Sequence, residues 1–198
     1  LLDDPSFVPL LAGKAKAEAA LGRTDAAVSH YAEVVERSPQ PSYLVEYGEL
    51  LESLGRPGEA QEQYRLFSTG ARLLETNGVA LDVEPVRFHA DHGDPGQALR
   101  YAEAGIRIRP FMDMADAYAW ALHRNGRHEE AVTWSRKALS LGTRSALFHF
   151  HLGMIHESLG DVPAARAELA KALEINPYFS PLWAPVARDV LARLGGKP

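Results

Sequence analysis

ALFHFHLGMIHESLGDVPAARAELAKALEINP, residues 146–177, decides the fold. His149, Leu152, Gly153 and His156 stand at spacings of 3, 4 and 7, which is one face of a helix. Gly160 then falls where a helix needs a left-handed C-terminal cap. Asp161 is a start signal for a second helix, whose apolar stripe is Ala165, Leu169, Ala172 and Leu173. Pro177 stops it. Two short helices with a tight turn between them cannot bury their faces alone, so the segment needs copies of itself as neighbours.

The copies are present. The Gly/Ala pairs Gly22/Ala27, Gly55/Ala60, Gly93/Ala98, Gly126/Ala131 and Gly160/Ala165 recur in steps of 33, 38, 33 and 34 residues. Aligned on them, Tyr31, Tyr64, Ala102, Ser135 and Leu169 fall four after the Ala. Val34, Phe67, Gly105, Ala138 and Ala172 fall seven after it. Offsets of four, seven and eight again define one helical face, so each Ala opens the buried stripe of a second helix. The first-helix stripe repeats as Leu44, Tyr47, Gly48 and Leu51, and as Ala115, Tyr118, Ala119 and Leu122. Thr24-Asp25, Asp94-Pro95 and Asp161 read as N-cap residues of second helices, with Pro95 in a first turn, and each repeated Gly as a left-handed cap.

A helix, a turn and a second helix in about 34 residues resembles the tetratricopeptide repeat. The "ADHG", "ADAYAWAL" and "GTRSALFHFHLGMI" stretches are similar to those of bacterial multi-repeat proteins of this kind. The resemblance implies an all-α, right-handed solenoid of five modules, at about 8–40, 41–78, 79–111, 112–145 and 146–179. Residues 180–198 complete a single 1–198 unit as a C-terminal cap, with Trp183, Val186, Val190 and Leu191 over the last module. Three departures stand out. Lys14 and Glu18 occupy apolar columns of module one, as at an exposed end or a face left by an upstream repeat. The second helix of module two is long, Pro57 to Thr76, ending at Asn77-Gly78. Pro85 makes the first helix of module three start late, capped by Asp82, and the solenoid is expected to bend or widen between modules two and three.

Composition narrows function. With 46% apolar residues the chain is foldable, and a net charge of −5 supplies no basic surplus for nucleic acid. The absence of cysteine removes disulfides and thiolate chemistry. No apolar run approaches the ~18 residues of a membrane span. The opening Leu1-Leu2-Asp3, without Met, reads as a piece of a longer protein, which leaves an upstream export signal and the compartment open. No nucleophile elbow, phosphate loop, HExxH or dinucleotide fingerprint is present, so no catalytic residue and no cofactor are assigned.

In the family the concave groove is lined by first helices. By that resemblance the groove positions with binding chemistry are Arg87, Asp91, Asp113, Asp116, Trp120, His123, Arg124, Phe150, His151, Met154 and Glu157. Aromatic and Arg residues on an open face suit a binding hot spot; the competing reading packs Trp120 and Phe150 against neighbouring helices. An Asp116–His151 contact across adjacent first helices is expected as a structural ion pair. One subfamily grips peptide C-termini with Lys and Asn on first helices. The only asparagines here, Asn77, Asn125 and Asn176, fall near helix ends, so that clamp is not expected. His89/His92 is the only close histidine pair with helical ligand spacing; His89, His149 and His156 fall in helix-packing columns, and no metal site is assigned. The implied function is a non-enzymatic scaffold for a protein or peptide, with no nucleic acid and no membrane insertion. The alternatives are a structural or homo-oligomerising segment of a larger bacterial protein and, last, a metal-dependent enzyme using groove histidines.

Overall fold

The computed structural model describes residues 7–78 and 82–196. Among them are eleven α-helices and no strand. The chain divides into two compact units, one within residues 1–77 together with 180–182, the other within 78–179 and 183–198. The bend expected between the second and third modules falls on residues 79–81, outside the described residues.

The first unit holds α1 (Val8–Ala20), α2 (Thr24–Arg37), α3 (Pro41–Ser53) and α4 (Pro57–Thr76). Its helices pair antiparallel through the repeated columns: Ala27 and Ala60 are 0% and 1% exposed, and a Cβ on Gly48 would strike the Tyr64 ring. Small residues at these points let the helix axes close up. Lys14 and Glu18 have their partner on α2, where His30 Nδ1 lies 2.6 Å from Glu18 Oε2 and His30 Nε2 lies 3.1 Å from Lys14 Nζ. A polar trio thus occupies the apolar column.

The second unit holds α5 (Val83–His92), α6 (Pro95–Ile108), α7 (Met112–Arg124), α8 (His128–Leu139), α9 (Ala146–Ser158), α10 (Val162–Ile175) and α11 (Trp183–Arg193). Asp82 Oδ1 accepts from Val83 N–H at 3.0 Å, so α5 starts late, with Pro85 in its first turn. Ala98, Ala131 and Ala165 are all fully buried, and a Cβ on Gly153 would fall 2.8 Å from Leu169 Cγ. Trp183, Val186, Val190 and Leu191 of α11 join the core that contains Leu169, Ala172 and Leu173 of α10.

Two local expectations are corrected. Gly22, Gly55, Gly126 and Gly160 take φ of 72°, 71°, 76° and 73°, but Gly93 has φ −129°. Each of the four left-handed glycines sits inside a three-residue turn, such as Asn125-Gly126-Arg127, closed by a 6→1 bond from Arg127 N–H to Leu122 C=O at 3.0 Å. Gly93-Asp94 is one residue shorter, so the cap position of the other modules does not exist there. Thr24 is the first residue of α2 and not its cap; Arg23 holds the cap position, without a side-chain bond. Asp94 and Asp161 do cap, accepting from Gly96 and Ala164 N–H at 2.8 and 3.2 Å.

Candidate binding surface

The first helices of the second unit, α5, α7 and α9, carry all eleven positions that the sequence singles out. Helix α7 reads MDMADAYAWALHR, and its four alanines bring it close to its neighbours on several sides. Ala115, Ala117, Ala119 and Ala121 are all at most 2% exposed. The larger side chains between them are consequently inserted among helices.

Asp116 is the deepest polar group, 0% exposed. His151 Nδ1, on α9, lies 3.0 Å from both of its carboxyl oxygens. Carrying its proton on Nδ1, His151 donates to them. Arg87, on α5, approaches Asp116 Oδ2 and Asp113 Oδ1 at 3.5 Å each. One acid thus ties together three helices, and the expected Asp116–His151 pair is present. Burying such a group is tolerable only because its partners are in place.

Trp120 forms a second layer beside it. Its Nε1–H donates to Asp91 Oδ1 at 2.8 Å. Its ring stacks on His151 at 4.3 Å and on His123 at 4.7 Å, and tilts against Phe150 at 6.0 Å. Arg124 Nε donates to the Ala90 carbonyl at 2.8 Å. Burial pushes the His123 imidazole down to about 4, with the neighbouring His128, His151 and Arg124 acting the same way. His123 Nδ1 lies 3.1 Å from His128 Nδ1.

Nine of the eleven expected positions therefore meet in one connected layer. Met154 packs, half-buried, against the same core, while Glu157 turns instead to Arg193 on α11 at 2.9 Å. The premise of large exposed aromatics is corrected. Trp120, Phe150 and His151 are 3%, 0% and 2% exposed, because α7 packs closely enough for them to fill the gaps between helices. What reaches solvent is their polar surround: Asp113, Arg124, and the half-buried Arg87, Asp91, His123 and Glu157. His128 is the participant that helical spacing misses. It lies five residues after His123, across a turn, where no single-helix period applies.

Among the described residues no group of three or more His, Cys, Asp or Glu side chains is placed to hold a metal ion, and no helix is long and apolar enough to cross a membrane.

With the helix pairs and their face in view, comparison with known proteins is direct. Tetratricopeptide repeat family models match residues 13–67, 89–146 and 146–179, and the chain belongs to this family. A tetratricopeptide repeat protein from Parabacteroides merdae is similar in structure, with a TM-score of 0.63 at 16% identity, over 96% of this chain and 71% of that one. A thermophilic protein of the same class from Thermus thermophilus has a TM-score of 0.53 at 21% identity, over 94% and 98% of the two chains. The hetero-tetramer Cut9–Hcn1 gives 0.50 at 20% identity, over 96% of this chain and 36% of that one. At these identities the likeness is one of fold. No curated protein matches the sequence. The family fold is commonly a protein-interaction scaffold and is generally non-enzymatic.

Proposed function

We propose that the chain is a non-enzymatic scaffold that takes a segment of another protein along the first-helix face of α5, α7 and α9. One observation carries the reading: a rim of both charges, Arg87, Asp113 and Arg124, borders the buried Asp116–His151 and Trp120–Asp91 contacts, with Arg87 reaching Asp113 and Asp116 and Arg124 bound to the Ala90 carbonyl. Arg87 meets its two carboxylates at 3.5 Å, the outer edge of hydrogen bonding, so a carboxylate or carbonyl of a bound segment competes for it on good terms. The Cut9–Hcn1 structure is an assembly of two different proteins, in keeping with this use of the fold.

The test leaves the buried layer intact. Asp113→Ala with Arg124→Ala, the two exposed rim residues, is expected to abolish retention of the specific partner that the full chain captures from native lysate, with melting within a few degrees of wild type. Undiminished retention by the double variant overturns the reading. A second reading, self-association through the start of α1, is favoured by Phe7 and Leu10, each 44% exposed. It requires that Leu10→Glu lower the mass measured by light scattering.

A further inference from the structure

His123 lies in the last turn of α7 and His128 opens α8, with only Asn125, Gly126 and Arg127 between the helices. The turn has one backbone arrangement: Gly126 sits at φ 76°, its N–H donates to the His123 carbonyl at 2.9 Å, and Arg127 N–H donates to that of Leu122 at 3.0 Å. The His123 ring is fixed as well, since it stacks on Trp120 at an interplanar angle of 16° and Trp120 is anchored by Asp91. Both imidazoles are half-buried, with their Nδ1 atoms 3.1 Å apart and their ring centroids 4.9 Å apart.

We propose that His123 and His128 form a two-imidazole chelate for a divalent transition-metal ion of the copper, nickel or zinc class, bound through both Nδ1 atoms. The spacing supports it. With metal–nitrogen bonds of about 2.05 Å, a nitrogen separation of 3.1 Å corresponds to an angle of about 98° at the metal, between tetragonal and tetrahedral values. Two rings aimed at one such ion have centroids about 4.8 Å apart, against about 5.4 Å for a straight N–H···N bond; the observed 4.9 Å matches the first value, which a bent N–H···N contact also reaches. Without metal, one Nδ1–H donates to the other ring's lone pair. Binding needs both lone pairs, so that proton moves to Nε2 of its own ring and none is released. The site supplies two ligands and leaves the other positions to water or to a donor brought by a partner. Copper(II) leads the affinity order for such nitrogen donors.

The test titrates the untagged full chain with Cu(II) alone, then Zn(II) alone, by calorimetry, with electron paramagnetic resonance of the copper form. His123→Ala and His128→Ala are compared with His30→Ala as a control, and each variant is checked by thermal melting. Wild type and the control are expected to take one equivalent, with two nitrogens in the copper spectrum. Each ligand variant is expected to bind at least about tenfold more weakly, with one nitrogen. Wild-type affinity in a folded His128→Ala protein, or no stoichiometric uptake by wild type, overturns the proposal.

Discussion

Asp116 has no exposed surface, and its partners His151 and Arg87 come from two other helices. Removing one side of such a pair leaves the other buried and uncompensated, which costs about 3–5 kcal/mol. Asp116→Ala is therefore expected to lower the urea midpoint strongly, and Asp116→Ala with His151→Ala to cost less than the sum of the two single changes. Additive losses would show that the contact contributes nothing of its own. His123 gives a pH signature. Its folded-state value of about 4 lies below the ordinary histidine value of 6.5, so between these limits the unfolded chain binds the extra proton. Stability from this group is complete above pH 6.5 and is lost as pH falls toward 4. The loss amounts to roughly 2 kcal/mol after allowance for its partial exposure. Urea titrations between pH 7.5 and 4.5 check this; a His123→Gln protein with the same pH slope would contradict it. The Asp116–His151 contact was legible in the sequence because the module register puts both residues on the same side of adjacent first helices, one column apart. The burial of Trp120 was not, because it depends on how closely α7 approaches its neighbours, which the module pattern does not specify.

The helix pair is the element that repeats, and its closest approaches lie at the repeated alanines. Ala131 and Ala165 are fully buried. Replacing either with Leu inserts three carbons where none fit and is expected to cost about 1–3 kcal/mol, read as a lower melting temperature. Gly160→Ala forces a side chain into φ 73° and is expected to cost about 1 kcal/mol, whereas the space around the residue is open. Gly93→Ala fails for the opposite reason: its Cβ would meet His89 Nδ1 at 2.5 Å. Helix extents were readable to the residue at α4, where Pro57 and Asn77-Gly78 bracket the run. The single-residue difference at Gly93-Asp94 was hidden, because the Gly/Ala spacing of five is the same in every module.

At the scale of the whole molecule the five-fold spacing gave the class of fold without any distance information, since a period in the thirties leaves few architectures. Far-ultraviolet circular dichroism is expected to show helical minima with no strand contribution, and a strand-dominated spectrum would contradict the fold. The binding face was legible only as a set of positions: the sequence places first-helix residues on one side but does not say which are drawn inward.

The three-residue turn has a consequence for anyone who wishes to recombine this protein. Helix pairs whose own turn is Leu-Gly-Arg, Asn-Gly-Arg or Leu-Gly-Asp share one internal turn geometry, so they are interchangeable parts. The pair at 83–108 uses a shorter turn. A consensus pair grafted in its place would remove Asp91 and leave the buried Trp120 Nε1–H without its acceptor.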